Sequence, residues 1–166
     1  EISVAPECAV FVGVSLDGFI ARPDGDLDWL TGASGGDSGG EDHGYNEFIA
    51  GIDAIVMGRK SFEKVMTFDA WYYGAKRVVV LSSRAIDLSA SRERGGVVEQ
   101  MSGAPEEIVA KLAASGARRL YVDGGATIQE FLRAGLIRRL IISRLPVLIG
   151  QGIPLFGSLP RDVRLT

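Results

Sequence analysis

The chain of 166 residues carries a net charge of −3 and is 46% hydrophobic and 23% charged, the balance of a soluble globular protein. That charge offers no electrostatic footprint for nucleic acid, no apolar run is long enough to cross a bilayer, and the single cysteine, Cys8, leaves no internal disulfide. The simplest expectation is one domain over residues 1–166, without a secretory signal and cytoplasmic.

Residues 8–15, Cys8-Ala9-Val10-Phe11-Val12-Gly13-Val14-Ser15, form a near-continuous apolar run, as in a strand covered on both faces. Cys8 at its edge reads as a small buried hydrophobe rather than a nucleophile. Leu16-Asp17-Gly18-Phe19-Ile20-Ala21 follows, then a polar turn at 22–26 and the short Leu27-Asp28-Trp29-Leu30. Asp24, Asp26 and Asp28 alternate as in a calcium loop, but Trp29 fills the position that needs glycine and no glutamate closes it. A solvated turn is the reading, and no metal is expected. Residues 32–44 are rich in Gly, Ser and Asp without apolar periodicity, which predicts a mobile loop or lid. The one histidine, His43, falls there, so a histidine-based triad or metal site has no support.

A helix is predicted to resume at Tyr45 and end near Gly51, followed by a strand over 53–58 and a helix over 59–66. Residues 77–81 are a third strand, and Val97-Val98 a short fourth. Residues 104–115 read as an amphipathic helix with Ile108, Val109 and Leu112 inward and Pro105 in its first turn. Leu120-Tyr121-Val122 is a strand that turns through Asp123-Gly124-Gly125 into a helix carrying Ile128, Phe131 and Leu132. Residues 140–145 are a last strand, 147–156 an irregular connection, and 162–166 look like the opening of another strand. Strands alternating with helices imply an α/β fold, a mostly parallel central sheet with helices on both faces.

A strand that turns through two glycines into a helix lets a ligand approach the backbone closely and meet the free N–H groups of the helix. On this stretch alone a tight turn without ligand is an equal reading. Three strand ends, however, share the chemistry: Gly58-Arg59-Lys60-Ser61, Leu81-Ser82-Ser83-Arg84, and Asp123-Gly124-Gly125-Ala126-Thr127. Open α/β sheets bind ligands outside the carboxyl ends of their strands. Helix N-termini, hydroxyls and the arginines Arg59 and Arg84 converging there suit a dinucleotide with an extra phosphate. Ordinary caps and solvated charges are the plain alternative for each motif taken singly.

These segments resemble a known family. Met57-Gly58-Arg59-Lys60-Ser61-Phe62-Glu63, Leu81-Ser82-Ser83 and Gly124-Gly125 are similar to the three cofactor segments of dihydrofolate reductases. Residues 15–21, Ser15-Leu16-Asp17-Gly18-Phe19-Ile20-Ala21, and 145–150, Leu145-Pro146-Val147-Leu148-Ile149-Gly150, resemble more closely the reductase domain of the bifunctional riboflavin-biosynthesis deaminase-reductase. The resemblance implies a dihydrofolate-reductase-like fold that binds NADPH. It assigns Arg59, Lys60 and Ser61 to the adenosine-side phosphates and Ser82 and Ser83 to the 2′-phosphate region, with Gly58, Leu81 and Arg84 also among the cofactor-binding residues. Gly124, Gly125, Ala126, Thr127 and Ile128 go to the pyrophosphate, and Val14, Ile20 and Ala21 to the nicotinamide, with Trp29 nearby. It also implies a cis peptide between Gly124 and Gly125, and a Cβ on Gly125 would then intrude on the phosphates.

In dihydrofolate reductases a carboxylate after that Trp grips the pterin; here the Gly/Ser-rich loop takes its place, so folate reduction is not expected. Asp123 stands where the riboflavin enzyme has an acid that touches substrate. The expectation is therefore an NADPH-dependent reductase for a small polar or cyclic substrate. Asp17 and Asp123 are the candidates for orienting that substrate or relaying a proton, although Asp17 could equally cap the turn at Gly18. A nucleotide-binding module without turnover is the alternative. The expected partner is a small molecule, with neither nucleic acid nor membrane, and a homodimer is left open.

Overall fold

The structure, a computed structural model, describes residues 5–32 and 44–166. Apart from its end residues, the predicted loop at 32–44, and His43 with it, lies outside the described residues. In chain order the elements are β1 (Glu7–Ser15), β2 (Phe19–Ala21), α1 (Asp28–Gly32), α2 (Tyr45–Ala50), β3 (Ala54–Gly58), α3 (Arg59–Met66) and β4 (Arg77–Leu81). Then come α4 (Ser89–Glu93), β5 (Val97–Met101), α5 (Pro105–Ala114), β6 (Arg119–Asp123), α6 (Gly125–Arg133), β7 (Ile137–Leu145) and β8 (Ile153–Pro154).

Six strands form the central sheet in the order β5-β4-β3-β6-β1-β7, and each neighbouring pair is parallel. Parallel strands joined by crossovers are buried on both faces, which is why their sequences read as unbroken apolar runs. Side chains alternate across the sheet. Ala54, Val56, Val79, Leu120 and Val122 face one core with Ile108 and Leu112 of α5 and Ile128 and Phe131 of α6. Ile55, Met57, Val78, Val80 and Tyr121 face the other with Phe62 and Val65 of α3 and Trp71. Phe131 is fully buried, so truncating it to Ala should cost about 3–5 kcal/mol.

The predicted elements up to β7 are present with adjusted ends, and the short β2, α1 and α4, which have no apolar periodicity, are added. β5 runs on to Met101, and β7 begins at Ile137, because the exposed Arg138 and Arg139 at the sheet edge do not break the strand although they break the apolar run. The connection expected to be irregular contains β8, which pairs antiparallel with β2. Residues 162–166 take no regular element, contrary to the strand expected there.

Candidate functional site

The chain leaves β3 through α3 toward β4 and leaves β6 through α6 toward β7. Since β3 and β6 are neighbours, with Met57 opposite Asp123, and their helices pack into opposite cores, the gap between them is a topological switch point. Crevices at such points, outside the carboxyl ends of the strands, are where open α/β sheets take ligands. Gly58 lies opposite Leu81 of β4, so all three sequence motifs end on this edge.

Neither α3 nor α6 has a side-chain N-cap; their caps are Gly58 and Gly124. The first N–H groups of both helices are thus left for an outside acceptor, and both dipoles favour an anion there. The two termini also touch. A Cβ built on Gly58 would stand 2.9 Å from Thr127 Oγ1, and one on Gly124 would collide with Ser61 Oγ. Backbone without side chains, two hydroxyls and two helix N-termini make a cradle that fits a diphosphate.

The expected cis peptide is not there: the described residues contain none, and the bond between Gly124 and Gly125 is trans. Gly124 makes the reversal by itself at φ 96 and ψ 135, backbone angles that side-chain-bearing residues avoid. Its N–H donates to Asp123 Oδ1 at 2.9 Å, and its carbonyl accepts from Ile128 N–H at 2.8 Å. Gly125 has a different reason to be small. A Cβ there would lie 2.7 Å from Ile153 Cγ2 and 3.0 Å from Ile20 Cδ1, so it would strike the β2–β8 pair and not the phosphate cradle. Gln129 Nε2 donates to the Pro154 carbonyl at 2.8 Å and holds that pair over the start of α6. Ile128 offers the cradle nothing, since its side chain is core and its N–H is engaged. Ala126 is exposed and Thr127 buried, in the first turn of α6.

At the β4 end, the Ser82 hydroxyl is occupied by its own turn, donating to the Arg84 carbonyl at 2.9 Å and accepting from Arg84 N–H at 3.1 Å. Gln100 Nε2 clasps the same turn through the carbonyls of Ser82 and Arg84. That leaves the exposed Ser83 and the Arg84 guanidinium as the outward groups. Arg59 reaches Glu63 at 3.3 Å, an exposed i,i+4 pair of the weak kind that an incoming anion can displace, and Lys60 stands exposed beside it.

On the far side of Gly125, Ile20 of β2 forms the rim, the next residue Ala21 is buried, and Val14 lies in the core. Asp17 accepts the Ser15 hydroxyl at 2.6 Å on Oδ1 and the N–H groups of Ile149, at 3.3 Å, and Gly150, at 2.8 Å. The Ser15 hydrogen bond, with those two amides, holds its carboxyl below the usual range. Its oxygens thus clamp the turn after β1 to residues 149–150, while the turn at Gly18 is capped by Ser15, whose carbonyl accepts from Gly18 N–H and whose Oγ accepts from Phe19 N–H. Trp29 is 5% exposed, and its Nε1 has no hydrogen-bond partner among the described residues. A buried donor in that state calls for an acceptor.

The sequence reading missed a group around Asp123. Oδ1 is taken by the Gly124 amide, while Oδ2 lies 3.5 Å from the Tyr73 hydroxyl. Tyr45, Tyr72 and Tyr121 complete an aromatic wall: Tyr45 and Tyr72 stand 6.1 Å apart, and Tyr72 and Tyr73 5.1 Å. Asp123 keeps some exposed surface, but its carboxyl is crowded on all sides. Desolvation raises its pKa against the opposing effects of Gly124 and Tyr73. Burial likewise pushes the Tyr73 hydroxyl far up, so it is an O–H donor at any ordinary pH. A separate cavity of about 310 Å³, lined by Phe11, Phe48, Arg119, Arg139 and Ile141 among others, sits at the amino ends of the strands and is not part of this crevice. No described helix is long and apolar enough to cross a membrane.

Comparison with known proteins agrees with this architecture. A crystal structure of a candidate riboflavin biosynthesis protein from Shewanella sp. PV-4 is similar at 38% identity and TM-score 0.84, covering 96% of this chain and 86% of that one. The uncharacterised protein YwjB of Bacillus subtilis (strain 168) is 29% identical over 158 residues, 94% of this chain and 86% of its own. Dihydrofolate reductase from Enterococcus faecalis, in complex with NADP(H) and RAB-propyl, shares the fold at TM-score 0.61 and 15% identity, covering 93% and 79%. The family model of the RibD C-terminal domain matches residues 6–166. The chain belongs to the RibD C-terminal domain family and has a dihydrofolate-reductase-like fold.

Proposed function

We propose that the protein is an NADPH-dependent reductase that delivers a hydride to a small polar or cyclic substrate. The observation that carries this reading is the cradle between β3 and β6, where the uncapped N-termini of α3 and α6 meet across Gly58 and Gly124. The first N–H groups of α3 and α6 would hold the pyrophosphate, with the Ser61 and Thr127 hydroxyls beside them. Arg59, Lys60, Ser83 and Arg84 would meet the phosphate on the adenosine side, where a bidentate guanidinium suits a phosphate best. Ile20 and Ala21 would bound the nicotinamide, and Trp29 Nε1 offers a donor in that neighbourhood.

When bound, NADPH supplies a hydride, and the protein's part is to bind, orient and exclude water. Asp17 keeps the β2 side of the site in place through residues 149–150. Asp123, desolvated at the end of β6, orients substrate or supplies the proton that must accompany a hydride. The solved dihydrofolate reductase holding NADP(H) and the family membership support the cofactor assignment. The test is oxidation of NADPH, followed by its absorbance, against a panel of cyclic imines and carbonyl compounds, with mass spectrometry of any ligand that copurifies. Tight NADPH binding with no turnover across the panel would favour a binding module instead.

A further inference from the structure

The inference concerns the substrate side of the same crevice and rests on the reductase reading for its functional meaning. By strand alternation Asp123 shares the face of Tyr121, the side on which Trp71 and α3 pack. Tyr73 reaches it from a segment 50 residues away. The Tyr73 ring is held on both sides, 5.7 Å from Trp71 at 73° and 5.1 Å from Tyr72 at 85°. Trp71 is fixed in turn by its Nε1 donating to the Gly74 carbonyl at 3.1 Å and by its packing on Phe62 of α3 at 6.4 Å. The hydroxyl therefore has little freedom to leave Asp123.

We propose that Tyr73 is a positioning residue: its locked hydroxyl faces Oδ2 of Asp123 while the Gly124 amide holds Oδ1, so the carboxyl group is presented to substrate in one orientation. The two contacts differ in quality. The bond from Gly124 is of ordinary length at 2.9 Å, whereas 3.5 Å from Tyr73 to Oδ2 exceeds the 2.5–3.0 Å of a good O–H···O bond. Oδ2 thus keeps capacity for a substrate donor, and Tyr73 sets the direction from which that donor arrives. Among the described residues, the ionisable groups that face this carboxyl are Tyr73 and Tyr72 from the segment before β4, Tyr45 from α2 and Tyr121 from β6. Burial keeps Tyr45, Tyr73 and Tyr121 neutral, and of these the hydroxyl of Tyr73 is the one that reaches Asp123 Oδ2.

Tyr73→Phe removes only the hydroxyl and keeps the ring packing. With aspartate labelled at the side-chain carboxyl carbon, the Asp123 resonance, identified by its loss in Asp123→Asn, is titrated in wild type and in Tyr73→Phe. The expected result is a titration above the ordinary aspartate range in wild type that moves further up in Tyr73→Phe, because burial persists while the long hydroxyl contact that opposes it is lost. An Asp123 titration that is the same in both proteins overturns the proposal. NADPH affinity, measured on the same samples by calorimetry, should not change in Tyr73→Phe, and a parallel loss would make the residue merely structural. If Tyr73→Phe fails to fold, the wild-type phenol carbon of Tyr73 is followed instead: it should report an inflection as Asp123 titrates, and a flat response refutes the contact. If wild type binds no NADPH, the cofactor reading fails, while the Asp123 titration still decides the role of Tyr73.

Discussion

Replacing Gly124 by Ala tests the cradle directly. At φ 96 and ψ 135 the residue occupies a region that is almost glycine-only, and forcing a side chain into such a region costs about 1–3 kcal/mol. The added Cβ would also collide with Ser61 Oγ, with Ser61 Cβ next at 3.5 Å. The hydroxyl can rotate, so the packing penalty belongs at the low end of the roughly 1–3 kcal/mol of overpacking. Together these give about 2–4 kcal/mol, a large part of the 5–15 kcal/mol that holds a typical domain folded. Urea unfolding should show a lower midpoint with an unchanged slope, the sign of altered stability rather than an altered denatured state. Gly124→Ala combined with Ser61→Gly removes the collision and leaves the backbone strain, so it should recover only part of the loss. NADPH affinity should fall in the single variant, since the methyl group occupies the space between the two helix N-termini. A Gly124→Ala protein within about 0.5 kcal/mol of wild type, the range of neutral surface substitutions, would refute the strained-glycine account.

Binding should favour NADPH over NADH, and Arg59→Ala should weaken NADPH selectively, by up to the roughly 1.5–3 kcal/mol of a charged hydrogen bond; equal affinities for the two cofactors in calorimetry would sink this. Dihydrofolate should be a poor substrate, because a Gly/Ser-rich stretch follows Trp29 where dihydrofolate reductases carry the carboxylate that grips the pterin; robust turnover in an absorbance assay would count against it. Asp53 accepts the amides of Arg118 at 2.8 Å and Arg119 at 2.9 Å, which hold its carboxyl below the usual range. Its stabilisation is therefore present above the unfolded aspartate pKa near about 4 and is lost as pH falls through the lower folded value. Asp53→Asn should flatten that part of the acid limb in stability-against-pH curves, and an unchanged limb would show that the amides do not act on it.

What could be read from the chain was what local pattern encodes. Residues 54–58, 77–81 and 119–123 are apolar runs that stop at glycine, serine or aspartate, and each stop marks a strand end at the site. Their convergence followed from one general rule about parallel sheets, and the register of Met57 with Asp123 and of Gly58 with Leu81 bears it out. The resemblance that supplied a cis peptide misled locally, because the reversal needs only one glycine at positive φ and Gly124 provides it. That a Cβ on Gly125 would meet Ile153 and Ile20 could not be read from the chain, because the two residues of β8 have no periodicity of their own and exist by pairing with β2.

The Tyr73–Asp123 contact was beyond reach for a more general reason. Trp71-Tyr72-Tyr73 lies in a turn-rich stretch where aromatic residues have no helical or strand period, so composition alone could not say which way the rings point. The ring of Tyr73 is placed by Trp71, Trp71 by Phe62 and Gly74, and Phe62 by the core under α3. Asp123 is placed independently, by the end of β6 and the amide of Gly124. Two short chains of placement, one running through the core and one along a strand, meet at a pair of oxygens 3.5 Å apart. Neither chain is a sequence motif, and each link is an ordinary packing or capping interaction. A substitution at Phe62 or Trp71 should therefore reach Asp123 through the Tyr73 ring, whereas one at Arg59 or Arg84, on the phosphate side of the cradle, should leave the Asp123 titration where it is.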